Sequence, residues 1–192
     1  MRFPSARVYA FEPLSFNVEQ IRRAVASQGL GDRVRIYQVA LSDVEGEVDF
    51  WVSGGTPPEK VTKDMPAPLG PRGWRYSSSM LEPLEHLEHW PWCTFERETV
   101  MARRLDALAA EEGIEDIDFA HLDVQGAELA VLRGMGSLLV KLKAIWLEVS
   151  NAEMYRGQPL RAEVEGFMSQ HGFELAVNAV GKKVQGDQLW VR

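Results

Sequence analysis

Residues 118–135 constrain the fold of this chain more than any other stretch. Ile117, Phe119, Leu122 and Val124 supply the bulk of a buried strand that stops at Asp123. Gln125-Gly126 makes a turn, and Leu129, Val131 and Leu132 then fall at the spacing of one helix face. A strand running straight into a helix is the repeating unit of a parallel α/β sheet, where ligands bind beyond the carboxyl ends of the strands. Asp123 and Gln125 lie at that end, so the candidate chemistry belongs there.

The rest of the chain supports an α/β reading. Val8-Tyr9-Ala10-Phe11 is a short apolar strand closed by Glu12-Pro13, and a helix follows from Ser15 to Gln28, with Gly29 as its stop. A second strand spans Val34 to Leu41 and ends at Ser42-Asp43, while Val48, Phe50 and Val52 alternate as a third. Residues 53–79 form a long Pro/Gly-rich loop that closes with Ser77-Ser78-Ser79. A loop of that length in a compact domain is usually functional or disordered. A short acidic helix, Leu81 to His89, then leads to a strand at Phe95–Met101 and a helix at Arg104–Glu112. After the central unit, Ala144 to Val149 forms a buried strand carrying Glu148 near its end, and Leu160 to His171 forms a helix. The tail pairs Phe173–Val180 with Leu189–Val191 as an antiparallel hairpin. Residues 1–192 read as a single domain.

Charge and composition narrow the function. There are 28 acidic against 21 basic residues, a formal charge of -7, which argues against a nucleic-acid partner. A neutral or cationic small molecule agrees with it. The single cysteine, Cys93, cannot form an internal disulfide, so a reducing compartment is the default. No apolar run approaches the roughly 20 residues that span a bilayer, and Met1 to Arg7 has no signal-like apolar core. The expectation is a cytoplasmic protein with no membrane partner.

The side chains that could carry chemistry cluster at strand ends. Glu12 directly follows a strand, where an acid can accept both hydroxyls of a ribose; its alternative is a surface carboxylate before a proline turn. Ser42 and Asp43 repeat that geometry one strand over. Asp123 could be a general base, a metal ligand or a group that orients substrate, or it could cap the following helix. Glu128 could serve the helix dipole in the same way. His121 shares a strand face with Phe119 and Asp123, and Glu148 ends an otherwise apolar strand. Ser78 and Ser79 have no histidine partner of the nucleophile type, which leaves binding of substrate hydroxyls or closure of the loop. Glu82, Glu85, His86 and His89 have helical spacing, but a solvated acidic face is the commoner outcome, and no metal site is expected.

Taken in order, Val8–Pro13, Ala40-Leu41-Ser42-Asp43 with Gly46, Ser77–Ser79, Arg104-Leu105-Asp106 and Ile117–Leu132 resemble the FkbM family of methyltransferases. The most specific part is Asp123-Val124-Gln125-Gly126-Ala127-Glu128 with Val131-Leu132-Arg133-Gly134. The resemblance implies a class I, Rossmann-like methyltransferase sheet that binds S-adenosylmethionine. It also implies O-methylation of a small-molecule acceptor, a sugar, polyketide or similar metabolite. Glu12 would then hold the ribose, Ser42 and Asp43 would approach the adenine, and Asp123 and Gln125 would line the pocket near the methyl group. Asp123 is the catalytic candidate, with Ser78, Ser79, His121 and Glu148 toward the acceptor. The family also carries, ahead of the strand equivalent to Val8–Phe11, a strand and a glycine-rich loop of the Asp-x-Gly-Ala-Asn-x-Gly type. Seven residues precede Val8 here, and none makes that loop. The expectation is a sheet without its first βα unit, open between the Val8 strand and the central Asp118–Val124 strand. An open edge invites homo-oligomerisation. It also keeps alive a rival reading, a truncated, non-catalytic scaffold. A nicotinamide-dependent dehydrogenase is disfavoured by the terminal hairpin and the Asp123–Glu128 run.

Overall fold

A computed structural model of the chain describes residues 5–59 and 73–192. The middle of the predicted loop, 60–72, lies outside the described residues. The Val8 strand is β1 (Val8–Phe11), and it pairs in parallel with β2 (Val34–Tyr37) through the crossover helix α1 (Ser15–Ser27). The single strand expected over Val34–Leu41 is two. After Tyr37 the chain leaves β1, and β3 (Ala40–Leu41) pairs in parallel with a different strand.

That strand is β5 (Cys93–Arg103), the second arm of a long antiparallel ribbon with β4 (Gly46–Gly55). Both arms outrun the alternating segments that announced them, because the ladder continues over polar pairs such as Asp49 with Thr99. One face of an antiparallel ribbon can meet water, so charged residues there do not end it. The acidic helix expected over Leu81–His89 shrinks to one turn, α2 (His86–His89). Pro83 has no N–H to donate and restricts Glu82 before it. The segment is held instead by Leu84 N–H donating to the carbonyl of Met154 at 2.9 Å.

The remaining strands form one sheet in the order β6-β7-β9-β8, with β6 (Phe119–Leu122) parallel to β7 (Ala144–Ser150). β9 (Gln185–Val191) is antiparallel to both β7 and β8 (Glu174–Asn178), which gives the expected closing hairpin. Helices α3 (Leu105–Glu112), α4 (Glu128–Gly134) and α5 (Arg161–Gln170), with a 3₁₀ turn at Gly136–Val140, complete the chain. Leu122, Ile145, Leu147, Val149 and Trp190 meet Val131, Leu132, Val164 and Met168 in the main core. Burying each large apolar side chain there contributes about 1.5–3 kcal/mol.

The opposite face of that sheet is less covered among the described residues, half-buried at its central strands and exposed at its edges. Alternation puts Phe119 and His121 on it, and the register continues it through Ala144 and Trp146 to Val191 and Leu189. Phe119 is 56% exposed, and β8 is exposed along its whole length. Among the described residues β1 pairs only with β2, and β6 only with β7. The strand expected at the centre of a sheet is therefore an edge strand, and the opening expected beside the Val8 strand is present in the pairing. No helix among the described residues is long and apolar enough to cross a membrane.

Candidate active site

The turn after β6 is built around a strained residue. Gln125 has φ +50°, a left-handed conformation that a glutamine rarely adopts, and Gly126 follows at φ +96°. Ser79 Oγ donates to the Gln125 carbonyl at 2.7 Å. On the other side, Glu128 Oε1 turns back to accept the N–H groups of Val124 at 3.4 Å and Gly126 at 3.3 Å. The helix that follows has no side-chain cap, from Asp123 or any other residue; Glu128 instead ties the turn ahead of it. Asp123 is left free of that duty and stands exposed at the strand end.

Gln125 joins the two strand-end carboxylates. Its Nε2 donates to Asp123 Oδ1 at 2.6 Å and to Glu148 Oε2 at 3.3 Å. Its Oε1 accepts from the hydroxyl of Tyr155 at 3.0 Å, and the same hydroxyl reaches the Ser77 carbonyl at 2.9 Å. Gln185 Nε2 donates to the other oxygen of Glu148 at 2.9 Å. The carboxylates crowd one another. Burial, then the charges of Asp123, Glu128 and Asp187, push the Glu148 carboxyl up to about 8 against the pull of Gln185. Burial likewise raises Glu128 to about 7, although backbone N–H groups oppose it. Near neutral pH this corner holds carboxyls poised on both sides of their titration, the condition of an acid–base site.

The other predicted residues are placed as follows. Ser78 Oγ accepts from Ser53 N–H at 2.9 Å and so faces β4, while Ser79 is committed to the Gln125 turn. His121 is exposed on the less covered face of the sheet, on the same side of β6 as Asp123. Glu12 ends β1 and accepts from Leu14 N–H at 2.8 Å; burial raises its pKa, with Asn17 and Arg75 opposing. The turn after Glu12 (Pro13, Leu14), with Gln38 and Arg75, lines a cavity of about 530 Å³. Ser42 and Asp43 line a different cavity of about 630 Å³, with Gly126, Ala127 and Arg133. Ser42-Asp43 and the turn after Glu12, read as neighbours on one edge, thus line separate hollows, because the chain swings from β2 to β3 between them. Of the acidic-helix residues, Glu82 pairs with Arg156 at 2.7 Å, and His86 is buried against Trp90, Phe95 and Tyr155.

The model of the methyltransferase FkbM domain matches residues 1–175 of the chain. The chain belongs to the FkbM methyltransferase family. The 2-O-methyltransferase NoeI of Sinorhizobium fredii is 36% identical over 188 residues, covering 97% of this chain and 70% of NoeI. The AMB antimetabolite synthetase AmbE of Pseudomonas aeruginosa is 30% identical over 190 residues, 92% of this chain but 9% of that much longer protein. Among solved structures, a methyltransferase FkbM from Methylobacillus flagellatus superposes with a TM-score of 0.52 at 13% identity, over 97% of this chain and 36% of that one. That likeness establishes the α/β methyltransferase fold.

Within this FkbM methyltransferase, sequence reasoning missed Tyr155. Its signal is weak but legible afterwards: an aromatic side chain with a polar tip soon after β7, at the same sheet end as Asp123.

Proposed function

We propose that this FkbM methyltransferase moves a methyl group from S-adenosylmethionine to a hydroxyl of a sugar or another small metabolite. The observation that carries the reading is the pair of strand-end carboxylates, Asp123 and Glu148, joined by the Gln125 amide. S-adenosylmethionine, when bound, supplies a methyl group activated by a positive sulfur. The residues fit such a ligand: the Glu12 carboxyl, held by Leu14 N–H and the Asn17 side chain, has acceptor capacity left for ribose hydroxyls, and the hollow beside it is of a size that takes small ligands. Pro13, Leu14 and Gln38 stand next to Glu12 and would take the adenine. The charges of Asp123, Glu128 and Asp187 around Glu148 favour a cation.

Methyl transfer to oxygen requires alignment of the acceptor more than covalent help. Asp123, exposed at the end of β6, receives the hydroxyl and accepts its proton as the oxygen takes the methyl group. Glu148, neutral over much of the neutral range, offers a hydrogen bond to the acceptor without adding a second negative charge. In this reading the chain works in the cytoplasm on a small molecule, without nucleic-acid or membrane partners, and the open edges of β1 or β6 join copies of the chain.

Titration calorimetry with S-adenosylhomocysteine, and NADH as the control, tests the cofactor. Micromolar binding of the first alone is expected, and binding of NADH in its place refutes the reading. The second reading is a non-catalytic scaffold, favoured by the exposure of Phe119 and by β6 pairing only with β7 among the described residues. It expects self-association without binding of either ligand.

A further inference from the structure

We propose that Tyr155 is a positioning residue of this site: its hydroxyl fixes which way the Gln125 amide faces, and so keeps N–H donors on Asp123 and Glu148. The proposal rests on the reading of Asp123 and Glu148 as the reacting pair.

A glutamine amide is nearly symmetric in shape, and either end can face a given neighbour unless a partner decides. On one side of Gln125 stand two carboxyls that want donors. On the other stands a phenol, 2% exposed, at 3.0 Å. Burial raises the pKa of Tyr155 far above its ordinary value, so the phenol keeps its proton and acts as a donor. Its single proton lies between two acceptors, the Ser77 carbonyl at 2.9 Å and Gln125 Oε1 at 3.0 Å, and this shared bond holds Oε1 on Tyr155 and leaves Nε2 to Asp123 and Glu148. The ring cannot swing away, because it is packed against His86 and Phe95 with centroids 5.4 Å and 6.5 Å apart. Ser77 O, the second acceptor at 2.9 Å, ties the same hydroxyl to the loop before β5. Without the hydroxyl, the carbonyl end of Gln125 is free to turn toward the carboxyls. It would then favour their protonated forms and spoil the alignment of the acceptor.

The test follows the carboxyl of Glu148, which needs no acceptor and no turnover. The groups that face it are Asp123, Glu128 and Asp187, with Gln125 and Gln185 as donors. Selective ¹³C labelling allows its titration by NMR in the wild-type chain, Tyr155→Phe, Gln125→Ala and the double variant. Tyr155→Phe and Gln125→Ala each raise the midpoint, by roughly half a unit or more, as expected for losing a donor to the charged form. The double variant moves it no further than Gln125→Ala alone, because Tyr155 acts through Gln125. Equal additional shifts from Tyr155→Phe in both backgrounds, or no shift in either, overturn the proposal. Circular dichroism and thermal melts identify a variant that has lost its fold. In that event, hydrogen exchange of the Gln125 side-chain amide in the wild-type chain takes over, where protection is expected and free exchange overturns the idea. Methyl-transfer assays on Asp123→Ala address the reaction separately, so the two ideas fail independently.

Discussion

Replacing Glu148 with glutamine should flatten the dependence of stability on pH in the alkaline direction. The carboxyl titrates near 4.5 in the unfolded chain and at about 8 in the folded one, chiefly because of burial. Below about pH 4.5 both states hold the proton and there is no penalty. Between those values the unfolded chain releases its proton while the folded chain keeps it, so stability falls as pH rises; above 8 the whole penalty is present. Each unit of pKa difference corresponds to about 1.4 kcal/mol, which sets a ceiling of about 5 kcal/mol. Partial exposure and the coupled titration of Asp123 and Glu128 bring the expected effect down to about 2 kcal/mol. Urea unfolding of wild type and Glu148→Gln at pH 5 and pH 8.5 measures it. The glutamine changes the hydrogen bond from Gln185 by an amount common to both pH values, so only the difference between the two differences counts. The wild type should lose about 2 kcal/mol more than the variant between these pH values. Parallel behaviour of the two proteins, within about 0.5 kcal/mol, would refute the buried-carboxyl account of this corner.

Two further outcomes are expected. Asp123→Ala should lower turnover by about 10²–10⁴, the range of a lost general base, while calorimetry finds S-adenosylhomocysteine binding within threefold of wild type. Undiminished turnover would sink the role given to Asp123. Gly134→Ala tests the packing of α4: helix propensity alone predicts about 1 kcal/mol of stabilisation. A Cβ there would lie 2.0 Å from the carbonyl oxygen of Ser42, whose N–H is already tied to Arg103. Denaturant unfolding should therefore show a loss of about 1–3 kcal/mol, and a gain would mean that β3 yields.

The parts of this fold that were legible are those whose partners lie close in sequence. The period of Leu129, Val131 and Leu132 locates α4, and Gly29 marks the stop of α1. The terminal hairpin was legible because a polar turn separates two apolar runs. The carboxylates at the ends of β6 and β7 were readable because a charged residue closing an apolar strand stands out. What joins them was not. Ser79 meets Gln125 across 46 positions and Tyr155 meets it across 30, and no local pattern encodes either approach. The split of β2 from β3 was hidden because Gln38-Val39 does not break the apolar pattern, yet it sends Ser42-Asp43 and the turn after Glu12 to separate cavities. Pro83 was the visible warning against a helix over Leu81–His89.

The strain at Gln125 shows what the turn is for. Chain reversal alone would be achieved more easily by glycine or asparagine, which enter the left-handed region at lower cost. A glutamine there costs on the order of 1–2 kcal/mol, a disadvantage that must be held in place by neighbours. Those neighbours are present on each side: Ser79 on its carbonyl, Glu128 on the N–H groups of Val124 and Gly126, and Tyr155 on its amide oxygen. Each such bond contributes about 1 kcal/mol net, so together they offset the strain with a modest margin. What glutamine adds over asparagine is reach, one methylene more, and the amide uses it to touch carboxyls on two adjacent strands. A turn built only to reverse the chain has no need of that reach. The Gln125 conformation follows from the demand to place one amide between Asp123 and Glu148, and the hydrogen bonds around it are the means of holding it there.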